Sequence, residues 1–387
     1  MTRRPPEFGA VDGTGEYTNR TFIGSLRAEY DALDGHLLNA ASVQRVSAKR
    51  DADGGFGPSG DKGERTRYGV ESTLRFGERS SVQHLFTLAL DREETDSQNT
   101  EAFSVEQGAR HGTNNTGIVG EYTLAVNDRI GFGASLRHDD NSRFQNATTY
   151  RVQGSYLFDS GTRLRAASGS GVKNPSLTEL FGYDPASYAG NPDLKPEKSK
   201  GWEAGIDQQL LDGRMLLGAT YFHSKLGNEI YTAYGPAPDY FSTPDNRTTL
   251  SKQKGVELTA EGHITEAWNV SAAWTHLDAK EDGTEEIRRP KNTGSLNLGW
   301  TSPQQIFGAN LTVRYNGKMT DDNFYDVGPP VVDMDAYTLV NLGIDWRCTD
   351  KVQFYGRIEN LLNRNYEEVY TYRAAGRAGY AGVRLKF

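Results

Sequence analysis

The sequence predicts an all-β fold: a transmembrane, antiparallel, up-and-down β-barrel. Three observations predict it. Apolar and polar residues alternate with a period of two in segments of about ten residues or more, the length of a tilted membrane strand. The connections between those segments alternate short and long along the whole chain, as the turns and loops of outer-membrane barrels do. No stretch approaches the roughly 18 consecutive apolar residues that a membrane helix requires.

From the N-terminus, residues 1–15 read as a tail or loop remnant and 16–387 as the barrel. The alternation marks 17 strands, at 16–30, 35–50, 63–76, 81–92, 113–125, 129–139, 147–157, 162–169, 199–210, 214–231, 247–262, 267–278, 291–301, 306–317, 335–347, 351–361 and 378–387. The later ones are the clearest. Leu296, Leu298 and Trp300 form one apolar set, and Ala309, Leu311, Val313 and Tyr315 the next. Val340, Leu342, Ile344 and Trp346 alternate with Asn341, Gly343 and Asp345. In the final segment Ala381, Val383, Leu385 and Phe387 alternate with Gly382, Arg384 and Lys386. Short turns fall near Asn127–Asp128, Asp212–Gly213 and Thr349–Asp350, whereas long connections cover 93–112, 170–198, 232–246, 318–334 and 362–377. No helix is expected between them, which argues against βαβ folds. Single-chain bacterial barrels hold an even number of strands. The odd count, a first strand that leads into a short turn, and the lack of an apolar leader in MTRRPPEFGAVDGTGEY lead to the expectation of further strands upstream.

Composition narrows the function. The net charge of −8 argues against nucleic acid, which is bound by clustered Lys and Arg. The single Cys348 permits no internal disulfide and no multi-thiolate metal site, and reads as a turn residue. The seven His show no HExxH or other metal-ligand spacing, and read as lumen or interface residues. SGSGVK at 168–173 lacks the GK[ST] ending of a phosphate loop. No GxSxG and no nucleophile–base pair stands out, so no catalytic residues are expected and an outer-membrane hydrolase is disfavoured. Asp51–Gly55, Asp91–Asp96, Asp139–Asn141 and Asp321–Asn323 read as solvated loop charge, with Ca²⁺ binding through hard oxygen ligands as the alternative. Aromatics gather in the long loops. Phe181, Tyr183, Tyr188, Phe324 and Tyr325 are candidates to stack on a ligand, whereas Tyr231 reads as part of the interfacial girdle.

Three stretches carry a family signature. Residues 174–205 read NPSLTELFGYDPASYAGNPDLKPEKSKGWEAG, residues 357–377 read RIENLLNRNYEEVYTYRAAGR, and the chain ends GYAGVRLKF. In order and spacing they resemble the TonB-dependent receptors of the Gram-negative outer membrane. Within that family HDDNSRF, KGVELTA, RRPKNTGSL and NYEEVYTYRAAGR are most similar to cobalamin receptors. The resemblance implies the C-terminal part of a 22-stranded barrel, with a plug domain and TonB box elsewhere. It implies uptake of a large scarce nutrient, with cobalamin first and a ferric siderophore second; a passive porin-like barrel fragment is the alternative outside the family. It places ligand contacts at Arg288 and at Phe324 or Tyr325, and a signal for the barrel-assembly machinery at Phe387. The implied partners are the ligand, outer-membrane lipid and TonB, with no resident cofactor.

Overall fold

The computed structural model describes residues 15–53, 58–78, 80–100, 108–184, 187–235, 241–323 and 330–386. Its main sheet holds 17 long strands. They are β1 (Glu16–Ala32), β2 (Leu37–Asp53), β3 (Pro58–Gly77), β4 (Val82–Asn99), β5 (Arg110–Val126), β6 (Ile130–Asn141), β7 (Ala147–Leu157), β8 (Thr162–Lys173) and β9 (Glu197–Leu210). There follow β10 (Met215–Gly227), β11 (Leu250–His263), β12 (Trp268–Glu281), β13 (Asn292–Thr301), β14 (Phe307–Asn316), β15 (Tyr337–Thr349), β16 (Val352–Glu359) and β17 (Ala378–Leu385). Each pairs antiparallel with the next in chain order, so the sheet is an uninterrupted meander.

The two faces differ as the alternation predicts. On β4, Phe86, Leu88 and Leu90 point outward, with Leu88 61% exposed. Asp91 and, on β6, Arg137 point the other way, and Arg137 donates to Asp91 at 2.7 Å and to Asp139 at 2.7 Å. The Arg137 guanidinium lies across Gly117, where any Cβ would collide with it. Charged groups on that face pair with one another, while bare apolar side chains on the other need a hydrocarbon solvent.

Aromatic belts mark the edges of the apolar band. At the short-turn end, Trp268 and Trp300 lie 6.4 Å apart, Phe307 and Trp346 6.2 Å, and Trp346 and Phe354 5.6 Å. Phe86 and Tyr122 continue that belt at 4.7 Å. Trp202, Tyr221, Trp274 and Tyr315 lie further from the short turns, part-way along or at the far end of their strands, on the outward face. Phe307 and Tyr315 face outward on one strand. Their spacing along it is about 27 Å, which tilts down to roughly 20 Å, near the height of an outer-membrane apolar band. The short turns are locally encoded: Asn127 and Asp128 take left-handed φ of 50° and 54°, and Asp212 precedes Gly213 at φ 82°. Asn, Asp and Gly tolerate that region best.

The structure departs from the sequence reading in several places. Strands β2 to β5 run past the expected bilayer edge: β2 continues to Asp53 and β3 begins at Pro58, both within the loop read at 51–62. The polar extensions are held by register and by cross-strand ion pairs such as Arg110–Asp96. A short helix, α1 (Leu177–Phe181), lies in the connection between β8 and β9, where none was expected. Tyr231 sits in a loop hairpin, Ile230–Tyr234 against Ser242–Asn246, beneath the guanidinium of Arg247 at 4.6 Å, and is no girdle residue. Cys348 is an exposed residue near the end of β15, not in a turn. Phe387, like Phe324 and Tyr325, lies outside the described residues, as do all but the last of residues 1–15.

Candidate functional site

The long loops gather at one end of the barrel and build its outer rim. Two structured clusters lie there. The first is organised by the NPSLTEL and GNPDLKPE stretches. Ser176 caps α1 by accepting from the Glu179 amide at 3.2 Å, while the Glu179 carboxylate accepts from the Ser176 amide at 2.7 Å. This reciprocal box lets so short a helix form. It turns Leu177 and Leu180 inward onto Leu194, with Phe144, Phe181 and Ile230 packed around them. Leu180 is 1% exposed.

Polar bonds tie this cluster to its neighbours. Buried Glu197 accepts from the Ile230 amide at 2.8 Å and pairs with Lys173 at 3.0 Å. Asn246 accepts from the Lys195 amide at 2.7 Å and donates to the Lys195 and Asn228 carbonyls. Phe181 stacks on His111 at 3.9 Å with Arg143 at 4.6 Å from its ring. Tyr188 donates to the Thr178 carbonyl at 3.1 Å, and burial pushes its hydroxyl pKa up, with Glu179 adding to the shift. The Tyr183 carbonyl accepts from Asn99. Phe181 and Tyr188 are thus engaged in loop packing.

The second cluster contains Arg288. Its Nε donates to Asp321 Oδ1 at 2.6 Å, and its amide donates to the Thr320 carbonyl at 2.8 Å. Asp321 is fully buried, and also accepts from its neighbour's amide, Asp322, and from the Tyr370 amide at 2.8 Å. One carboxylate therefore joins the 282–291 loop, the Met319–Asp322/Val331–Met334 hairpin and the 360–377 loop. The solvated reading of Asp321 is corrected: a buried carboxylate needs paired donors, and here three elements supply them. Beside it opens a cleft of about 590 Å³ lined by Arg288, Glu368, Val369, Thr371, Tyr372, Arg373 and Ala374. Tyr372, 71% exposed, stands in a stretch that the sequence reading singled out for resemblance but not for ligand contact. The only signal in the sequence was the Tyr372–Arg373 pair; Arg288 joins them only in the folded rim. Tyr337, 4% exposed, supports the cleft from below through Tyr366 at 4.6 Å and a bond to Glu368.

Among the described residues no group of three His, Cys, Asp or Glu is placed to share a metal ion. Asp51, Asp91, Asp96 and Asp139 are each within ion-pair distance of Lys49, Arg137, Arg110 and Arg137 respectively. Near the first cluster, burial raises the pKa of Glu229 in its loop, with Arg247 pulling the other way and Glu286, Glu281 and Glu197 adding to the rise.

Strands long enough to span a bilayer, two aromatic belts and a capped outer rim define a receptor-type barrel of the Gram-negative outer membrane. The chain belongs to the TonB dependent receptor-like, beta-barrel family, which matches residues 2–361 and is made up of transport receptors. It is 30% identical over 264 residues to the vitamin B12 transporter BtuB of Photobacterium profundum, an alignment covering 66% of this chain and 40% of that protein. In structure it is similar to the siderophore receptor PirA from Acinetobacter baumannii, with a TM-score of 0.78 at 16% identity, covering 96% of this chain and 63% of that one. A mutant of the ferric enterobactin receptor PfeA from Pseudomonas aeruginosa, in complex with enterobactin, gives 0.79 at 16% identity, covering 97% and 63%. The chain thus spans less than two thirds of each. At these identities the two structures bear on the fold alone.

Proposed function

We propose that this chain forms the wall and ligand-binding rim of a TonB-dependent receptor for cobalamin or a related corrinoid. The observation that carries the substrate class is the 30% identity to a vitamin B12 transporter. The geometry agrees with it. Arg288 stands at the mouth of an open cleft on the outer rim, fixed by Asp321 rather than by lipid or solvent. Corrinoids carry a ring of amide-bearing arms that accept hydrogen bonds, and a guanidinium offers several donors in a fixed fork. Exposed Tyr372 adds a flat apolar face. Phe324 and Tyr325, outside the described residues, enter the proposal through the family resemblance alone. TonB would act through a plug domain carried elsewhere in the receptor, and Phe387 would serve barrel assembly. No bond is made or broken in this function, so it needs binding residues only.

The test is Arg288→Ala in the intact receptor, with cyanocobalamin as the probe. Corrinoid affinity should fall about 10-fold or more, as for the loss of a charge-assisted bond. Unchanged affinity, in a variant whose rim stays protected from hydrogen exchange, would remove Arg288 from the site. Saturable binding of a ferric siderophore in place of the corrinoid would favour that substrate class. Neither ligand binding, with ion conductance in planar bilayers, would favour a passive channel.

A further inference from the structure

The register of the sheet places four lysines in one line. Lys200 on β9 lies directly opposite Lys225 on β10, Lys225 opposite Lys252 on β11, and Lys252 opposite Lys280 on β12. Directly opposed like charges destabilise an antiparallel pair. Four in succession on a chain of net charge −8 therefore call for a compensating anion. The protein supplies little: Glu285 lies opposite Lys280 but is paired with Lys291. Asp278 is shared between Lys254 at 3.5 Å and Lys280 at 3.2 Å. Among the described residues, no carboxylate is within ion-pair distance of Lys200, Lys225 or Lys252, and all three are exposed. Lys200 leans only toward the ring of Tyr150, at 5.9 Å.

The face and the height of this line identify the anion. Two residues inward along the same strands, and on the same face, Trp202 lies opposite His223 and His223 opposite Lys254. Trp202 belongs to the outer aromatic belt and Leu258, further in on β11, is an exposed apolar residue. The lysines therefore sit on the lipid side of the wall, one step beyond the belt, at headgroup depth. They do not face the ligand cleft. We infer that Lys200, Lys225, Lys252 and Lys280 form a site for the phosphorylated headgroup of an outer-leaflet glycolipid. Adjacent strands lie about 4.8 Å apart, so the line extends roughly 14 Å, a span suited to a headgroup bearing two phosphates. Flexible ammonium groups bind phosphate as point charges, and their stems can lie along the acyl chains below.

The experiment is native mass spectrometry of the purified receptor in detergent, titrated with bisphosphorylated lipid A. The same lipid with both phosphates removed, and phosphatidylglycerol, are run beside it. The variant is Lys225→Gln with Lys252→Gln. The control is Lys351→Gln with Lys386→Gln, two exposed lysines at the opposite rim. Each lysine near an anionic lipid surface changes binding about fivefold, so the double variant should bind bisphosphorylated lipid A roughly 25-fold more weakly. The control should leave binding unchanged, and Lys225→Arg with Lys252→Arg should restore it. Equal retention of the dephosphorylated lipid, an equal loss in the opposite-rim control, or an equal loss for phosphatidylglycerol would each overturn the assignment. Corrinoid affinity of the double variant, read in the same preparation, separates this result from any failure of the rim cleft.

Discussion

Asp321 shows how a single side chain organises the rim. Its carboxylate meets Arg288, the Asp322 amide and the Tyr370 amide, and none of its surface is open to water. Asp321→Ala should therefore cost about 2–3 kcal/mol locally, the worth of bonds to a charged group. The loss is to be read as lost hydrogen-exchange protection at the Asp322 and Tyr370 amides, with the strand amides unchanged. If those two amides keep their protection, the hub is not what holds the loops. Glu229 gives a pH-dependent counterpart. Its folded pKa is raised, chiefly by burial, so the folded loop favours the neutral acid. Stability from this group is fully present below the usual carboxylate pKa of about 4.3. It declines as pH rises from there through the raised folded value. Glu229→Gln should accordingly increase protection of the Ile230–Tyr234 hairpin at neutral pH and flatten its pH dependence. The residue scale was the least legible in the sequence. Resemblance pointed to Arg288, but its partner lies 33 positions away in another loop. Asp321 next to Asp322 and Asn323 looks like any solvated acidic loop until the loops meet.

At the scale of elements, the strands were legible and the loop architecture was not. Every segment read from period-two alternation corresponds to one of β1 to β17. A lipid face and a polar face impose that period on each spanning residue. Beyond the bilayer neither face needs to be apolar, so the pattern stops although the ladder continues, as in β3 and β4. Helix α1 has only five residues, too few for a helical period, and its signal was the Ser176/Glu179 box rather than any repeat. Leu180→Ala, at 1% exposure, should cost about 2–5 kcal/mol. It should loosen the 174–196 loop while leaving barrel assembly intact. Limited proteolysis of folded protein is the measurement, and a loop as resistant as the parent's would contradict this packing. The wall gives the complementary case. Leu88→Arg on the outward face should destabilise the barrel by about 2–4 kcal/mol. Thr87→Arg, one residue along and opposite Glu121, should be near neutral. Urea unfolding in detergent distinguishes them, and equal penalties would mean that the faces are misassigned.

For the molecule as a whole, the sheet supplies a scaffold in which three chemistries are kept apart. Apolar side chains face lipid, paired charges such as Arg137 and Asp91 line the inner face, and the long loops fold into two clusters above. The division follows from solvent. Hydrocarbon admits no unpaired backbone group, so strands must pair throughout the bilayer, whereas loops in water are free to specialise. Family likeness and fold are therefore carried by most of the chain, and the proposed substrate choice by a few rim residues. The same fold is found in a protein described for vitamin B12 and in a siderophore receptor. The central claim is that this rim selects a corrinoid. It is tested most directly by isothermal titration of the intact receptor with cyanocobalamin and, separately, with a ferric catecholate siderophore. The account predicts saturable binding of one cyanocobalamin per receptor and no saturable uptake of heat with the siderophore. Saturable siderophore binding with no corrinoid signal would contradict it.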